Sequence, residues 1–326
     1  MPAEWAGMIA PEAPAPRDGH EPRESGGVVV VLSAYNGSRY IAQQIASIRE
    51  QSCEDWRLLV RDDMSNDDTR AIVRRSAAAD PRIILLPSDR RNLGPPASFG
   101  LLLQAAVDLG AEYVFLADQD DVWLPDKMER GLAAARAAAA PGRPLLVHSD
   151  LRVVNNGLGT IAESFMRFQG IFNTAEQPLA TLLAQNFVTG CATLVNRALL
   201  RVAIPIPDGV TMHDWWLAQC AAASGTIVYL PAPGVLYRQH GANAVGASGV
   251  SALTRRAVSH PAHWWRCSFQ RFLSGINQAE QLRARLRERG LDGPPLALVD
   301  DYCGKFTSHT AGLRRVLGVR RLGVAP

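Results

Sequence analysis

Glu112–Lys127 reads EYVFLADQDDVWLPDK. An unbroken apolar run, YVFLA, is followed at once by three carboxylates: Asp118, Asp120 and Asp121. A short run without alternation predicts a strand buried on both faces, as in a parallel sheet. The carboxylates then fall at the carboxyl edge of that sheet, where open α/β sheets bind ligands. A second stretch, Trp56–Thr69 (WRLLVRDDMSNDDT), repeats the arrangement and ends its apolar run in Asp62 and Asp63. Crowded carboxylates are costly unless a cation or hydrogen-bond donors answer them. Two such clusters point to a divalent metal, Mg²⁺ or Mn²⁺, and a nucleotide sharing one crevice.

Working outward, strands are expected at 28–32, 56–61, 83–86, 113–117 and 145–148, with helices between them. Those helices are expected at 41–48, 67–79, 96–109 and from Pro125 into the alanine-rich stretch. Ser65 or Asn66 is expected to cap the second helix. The alternation predicts a mostly parallel central sheet with helices on both faces. Beyond residue 150 the pattern becomes mixed. A helix is expected at 178–185, a turn and strand in NFVTGCATLVN (Asn186–Asn196), a helix from His213, and strands at 226–230 and 235–238. From about residue 250 the chain reads as basic amphipathic helix.

The 326 residues are 47% hydrophobic and 20% charged, with a formal net charge of +3. That is enough apolar material for a large core, and the charge is too small to argue for nucleic acid. The distribution is uneven: residues 250–326 hold thirteen Lys/Arg against five Asp/Glu. Five scattered cysteines lack zinc-site or redox spacing, as expected of free thiols in a reducing compartment. Residues 1–26 are rich in Pro, Ala and Gly and carry no secretory pattern, so a disordered leader and a cytoplasmic protein are expected. No stretch approaches the length of a membrane span.

The loop after the first strand, Ser33–Ile41 (SAYNGSRYI), lacks the glycine fingerprint of dinucleotide folds, which argues against an oxidoreductase. Ser33 and Tyr35 are candidates for the wall of a nucleobase pocket, or part of an ordinary turn. Asp63 lies ahead of any helix cap and is a candidate acceptor for a base. In the D-x-D at Asp118–Asp120, the first and third side chains share a side. One can hold a ribose hydroxyl and the other a hard cation on a diphosphate. In Met212–Gln219 (MHDWWLAQ), Asp214 is either a helix cap or a general base beside two tryptophans. Arg238 and His240 share a side after a strand and are candidates for a diphosphate and a metal.

Taken together, S-x-Y-N, DDxSxDxT, N-x-G at Asn92–Gly94 and D-x-DD-x-W-x-P-D-K at Asp118–Lys127 resemble family 2 glycosyltransferases with the GT-A fold. LLVHSDL (Leu145–Leu151), NFVTGCATLVN, MHDWWLA and YRQHGANAVGA (Tyr237–Ala247) are similar to the rhamnosyltransferase-type branch. The resemblance spans roughly residues 27–247. It implies a nucleotide-binding half at 27–125, an acceptor-binding half at 126–247 and a basic helical extension at 248–326. It further implies a nucleotide-diphosphate sugar donor and a divalent cation on the diphosphate. An acidic residue would deprotonate the acceptor hydroxyl, with inversion at the anomeric carbon. By motif, Ser33, Tyr35 and Asp63 fall on the nucleoside, Asp118 on the ribose, and Asp120 on the metal with His240. Asp214 falls on the catalytic base and Arg238 on the diphosphate, with Asn92, Asp121, His213 and Trp215 lining the substrates. The processivity motif Q-x-x-R-W is absent, which implies one sugar per catalytic event.

The acceptor implied is a glycan or lipid-linked hydroxyl in cell-surface polysaccharide synthesis. A non-catalytic nucleotide-sugar or glycan binder is the alternative; a metal-dependent phosphatase is conceivable from acidic strand ends alone. The C-terminal segment, which mixes Trp, Phe and Leu with arginines, suits either a helix at an anionic bilayer or a helix packed on the catalytic domain.

Overall fold

A computed structural model describes residues 27–87, 91–171, 176–240 and 261–316. The expected leader (1–26), the segment GANAVGA (241–247) and the basic stretch 248–260 lie outside the described residues.

The first half alternates as expected: β1 (Val28–Ala34), α1 (Ile41–Arg49), β2 (Arg57–Asp62), α2 (Thr69–Ala79), β3 (Ile83–Leu85), α3 (Gly94–Asp108) and β4 (Tyr113–Ala117). Then follow β5 (Val122–Trp123), α4 (Lys127–Ala138), β6 (Leu145–Ser149), β7 (Arg152–Val154), β8 (Thr160–Ala162), α5 (Phe165–Gln169) and α6 (Pro178–Ala184). A 3-10 turn at Gly190–Ala192 leads into β9 (Thr193–Asn196), α7 (Arg197–Ala203), α8 (His213–Ser224), β10 (Thr226–Leu230) and β11 (Val235–Arg238). Two long helices, α9 (Pro261–Glu288) and α10 (Pro294–Val316), complete the described chain.

Seven strands form the main sheet in the order β10-β6-β9-β4-β1-β2-β3. All pairings are parallel except those of β9, which is antiparallel to both β4 and β6. Successive residues of β1 feed opposite faces, the consequence of a period of two. Val29 and Val31 enter a core built with α3, α6, α7, α8 and α9. Val28, Val30 and Leu32 enter one built with α1, α2 and α4. This two-sided burial explains why the strand reads as VVVVL without alternation.

The structure corrects several expectations. A second, four-stranded sheet, β5-β11-β7-β8, was not foreseen; three of its strands have two or three residues, too few to show a period. Helix α4 begins at Lys127 rather than Pro125: residues 124–126 form the turn after β5, closed by Lys127 N donating to the Leu124 carbonyl. Helix α7 was also missed, although its cap is in the sequence: the Asn196 side chain accepts from Leu199 N. Neither Ser65 nor Asn66 caps α2. Ser65 Oγ accepts from Asn36 N, and Asn66 N donates to Asn36 Oδ1, so both bind the β1–α1 loop.

The C-terminal helices pack on the catalytic domain over their described side chains. Leu273, Ile276, Leu282 and Leu286 of α9 are buried. Arg285 donates to the Val202 and Pro205 carbonyls and Arg289 to that of Ile204. Cations thereby meet the free carbonyls at the end of α7, where the helix dipole favours positive charge. Among the described residues, no helix is long and apolar enough to cross a membrane.

Candidate functional site

Strands β2, β1 and β4 are parallel neighbours, so Asp62–Asp63 and Asp118 reach the same sheet edge with β1 between them. With strands spaced about 4.8 Å apart, the two acidic tips stand roughly 10 Å apart.

At the β2 tip, Asp63 is 3% exposed. Its Oδ1 accepts from Leu93 N and its Oδ2 from Gly94 N, each at 2.8 Å, and Arg61 pairs with Oδ1. Asn92 Nδ2 donates to the Asp63 carbonyl at 2.9 Å. Gly94 has φ +74°, a left-handed conformation that favours glycine and opens α3 at this point. The N-x-G motif thus holds Asp63 against the N-terminus of α3. Asp62 receives Ser65 N at 3.3 Å and lies 3.6 Å from Arg70 Nη1. Ser33 Oγ meets Ser98 Oγ at 2.7 Å beside this cluster. Tyr35 projects outward at 46% exposure.

The β4 tip has far fewer cationic partners. Burial, followed by the charges of Asp120 and Asp214, pushes the Asp118 carboxyl up to about 7. Asp121 is fully buried and held well above the usual carboxylate range by burial and by Asp120 and Asp118. One of its oxygens accepts from Arg238 N at 3.1 Å; the other, Oδ2, has no hydrogen-bond partner. Asp120 Oδ2 lies 2.8 Å from His240 Nε2, and the imidazole stacks on Tyr40 with centroids 4.8 Å apart.

Arg238, expected at a diphosphate, instead braces this loop and is 1% exposed. It donates to the carbonyls of Asp120 and Asn156 and to Gln43 Oε1, and its guanidinium lies over the Tyr40 ring. Gln119, absent from the sequence reading, ties the tip to the β1–α1 loop. Its Oε1 accepts from Tyr35 N at 2.8 Å and its Nε2 donates to Tyr35 O at 2.9 Å.

Across from β4, Asp214 is the second residue of α8, one position inside the helix rather than at its cap. Its carboxylate accepts from Trp215 N at 2.6 Å, Gly190 N at 2.9 Å and Asn186 Nδ2 at 3.3 Å. Burial outweighs those bonds and lifts the carboxyl to about 6. Such a group is poised to exchange a proton near neutral pH. Gly190 is required by close approach: a Cβ there would stand 3.0 Å from His213 Nε2 and 3.5 Å from Asp214 Cβ.

His213 and Trp215, expected at the substrates, have structural surroundings. His213 stacks on Phe99 at 3.8 Å, and burial lowers its pKa to about 3. Trp215 donates to the Leu182 carbonyl of α6 at 2.6 Å and packs toward Gly275 of α9.

The structure therefore gathers Asp118, Asp120, Asp121, Asp214 and His240 around one region, with Asp63 at the β2 tip, while Asn92, Arg238, His213 and Trp215 are tied into the surrounding frame. Sequence reasoning passed over Gln119, Asn186 and Cys191. The last two lie in the quoted stretch NFVTGCATLVN, but a lone amide or thiol carries no spacing signal. The arrangement suits two tasks, holding a cation-bound polyanion and removing a proton from a hydroxyl.

Known proteins resemble the chain in sequence and in fold. A model described as glycosyl transferase family 2 matches residues 29–201. The chain is 28% identical over 222 residues to the dTDP-rhamnosyl transferase RfbG of Shigella flexneri, a match covering 67% of this chain and 74% of that one. In structure it is similar to S. aureus TarS 1-349 in complex with UDP, with a TM-score of 0.56 and 17% identity over 90% of this chain and 76% of that one. It is also similar to the mannosyltransferase PcManGT from Pyrobaculum calidifontis in complex with GDP-Man and Mn²⁺, with a TM-score of 0.50 and 20% identity over 88% and 80% of the two chains.

Proposed function

The chain belongs to glycosyl transferase family 2 and has the GT-A fold, and on that premise we propose that it is an inverting, metal-dependent glycosyltransferase of polysaccharide synthesis. It moves one sugar from a nucleotide-diphosphate donor to a hydroxyl of a glycan or lipid-linked acceptor. The observation that carries this reading is the convergence of Asp118, Asp120 and Asp214, where burial and then the neighbouring charges raise the Asp118 pKa.

The donor set fits a divalent cation. Asp120 and His240 offer oxygen and nitrogen side by side, and the acidic tip has an excess of negative charge. Asp120 and His240 would hold Mg²⁺ or Mn²⁺, which when bound neutralises charge developing on the departing diphosphate. Asp118 takes the ribose. Ser33, Tyr35 and Asp63 form the nucleobase side; Asp63 Oδ2 accepts one backbone N–H and keeps a lone pair for a base. Asp214 accepts the proton of the acceptor hydroxyl as its oxygen bonds to the anomeric carbon and the carbon–phosphate-oxygen bond breaks. Displacement from the opposite face inverts that carbon.

Residues 27–125 serve the nucleotide and 126–247 the acceptor. The likeness to RfbG supports rhamnose as the sugar to try first. A cytoplasmic location, with peripheral membrane contact through the C-terminal segment, accords with a lipid-linked acceptor. The test is a thermal-shift screen of nucleotide diphosphates and their sugars with Mn²⁺, followed by transfer assays on the donors that bind. A donor that stabilises the protein only with Mn²⁺ and is then consumed supports the reading. Binding without transfer or hydrolysis makes the chain a non-catalytic binder.

A further inference from the structure

Beside the Asp120–His240 pair lies a cluster that the proposed mechanism leaves only partly used. Asp118, Asp121 and Cys191 each offer one ligand atom, and the three lie within 4.8 Å of one another. They come from separate pieces of chain: the end of β4, the loop after it, and the 3-10 turn before β9. Asp121 supplies a second indication: it is fully buried, its Oδ2 accepts no N–H or O–H, and the group it and Asp118 face is the Cys191 thiol, which bonds to both carboxyls. Cys191 is equally buried and forms no disulfide. The ammonium of buried Lys127 interacts with both Asp121 and Cys191. Two carboxylates and a thiolate, balanced by one lysine and one divalent ion, carry no net charge, the condition a closed site favours.

We propose that Asp118, Asp121 and Cys191 form an inner cation site for a thiophilic divalent ion of the zinc class, separate from the Asp120–His240 pair. Zinc accepts mixed thiolate and carboxylate ligands in a tetrahedron, with bonds of about 2.3 Å to sulfur and 2.0–2.2 Å to oxygen. Those lengths set ligand atoms roughly 3.3–3.8 Å apart, so the cluster needs only a small contraction to close on an ion. Mg²⁺ prefers six oxygens and is a poor match, whereas thiolate ligation selects zinc-like ions. Binding releases to solvent the thiol proton and any proton held on the Asp118 and Asp121 carboxyls, and involves no oxidation. The ion also engages Asp118. If Asp118 serves the donor ribose, a consequence that rests on the function proposed above, zinc inhibits transfer.

Cobalt tests the site without any donor. Co²⁺ added to the metal-free chain is expected to give intense tetrahedral d–d bands and a thiolate-to-cobalt charge-transfer band in the near ultraviolet, bleached by Zn²⁺. Cys191→Ser and Cys191→Ala should abolish the charge-transfer band, and Asp121→Asn should weaken affinity by at least about tenfold. Thermal unfolding confirms that each variant is folded. A band that never forms, or that persists in both Cys191 variants, overturns the proposal. In a separate arm, Zn²⁺ is titrated into transfer reactions at saturating Mn²⁺; the half-inhibitory concentration should rise at least about tenfold in Cys191→Ser, and an unchanged value removes the inhibitory role. A cobalt band in a chain that transfers no sugar leaves the site standing and sinks the proposed function; transfer without the band does the reverse.

Discussion

Two strands of one sheet end in adjacent aspartates, and the two ends are in opposite electrostatic condition. At the β2 tip, Asp63 is answered by Arg61 and by two backbone N–H groups of α3, and Asp62 by Arg70 and Ser65 N. At the β4 tip, Asp118 and Asp121 repel Asp120 and each other, and one buried oxygen lacks any donor. The charges of the first tip are answered within the protein. The second sets three carboxylates against buried Lys127 and has room for a further positive charge. Adjacent carboxylates in a sequence therefore mark either a brace or a binding site, and the arginines and helix ends nearby decide which.

The largest expected effect lies across from the unbalanced tip. Asp214→Asn should lower turnover about 10³-fold while donor affinity, measured by calorimetry with Mn²⁺, stays within a few-fold. Near-normal turnover would remove Asp214 as the base. Next, one substitution at each tip should move different observables. Asp120→Ala should weaken Mn²⁺-dependent nucleotide-diphosphate binding about 100-fold and leave metal-free melting unchanged or slightly raised, because it relieves repulsion. Asp63→Ala strands a buried arginine and should cost about 3–5 kcal/mol of stability, read from denaturant unfolding. If the two variants exchange phenotypes, the contrast between the tips is broken.

A smaller effect follows pH. Asp214 is raised from 3.8 to about 6 in the folded chain, so the folded state binds its proton more tightly than the unfolded state. Its contribution to stability is fully present below pH 3.8 and is lost as pH rises through about 6. Turnover moves the other way: the acid limb of the rate profile should rise with a midpoint near pH 6, and Asp214→Asn should erase that limb. The smallest effect belongs to Gln119→Ala. It removes two hydrogen bonds between the tip and Tyr35, each worth about 1 kcal/mol, and should raise the donor KM a few-fold with less change in kcat.

Much of this was legible in the sequence. Strands buried on both faces announce themselves as continuous apolar runs, so β1, β2 and β4 and the carboxylates after them could be placed on one edge. Asp214 and His240 could be placed in the chain because each lies beside an element end, the start of α8 and the residues just past β11. The bracing contacts of Asp63 and Arg238 were not legible, since both depend on long-range partners: Leu93 and Gly94 for one, Asn156 and Gln43 for the other. The second sheet was hidden because strands of two or three residues carry no pattern; β9 was expected as a strand, but its antiparallel insertion between β4 and β6 is a matter of topology.

The arginines of α9 that close the end of α7 make the folding unit larger than residues 29–201, which match the family. A chain cut near residue 250 would bare Leu282 and Leu286, each contributing about 2 kcal/mol through burial, and would strip the carbonyls of Val202, Ile204 and Pro205 of their donors. Truncation would then impair the enzyme by loosening the scaffold behind Asp214, whatever the tail does at a bilayer. Point changes that neutralise surface arginines while sparing Arg285 and Arg289 are the cleaner probe of membrane attachment.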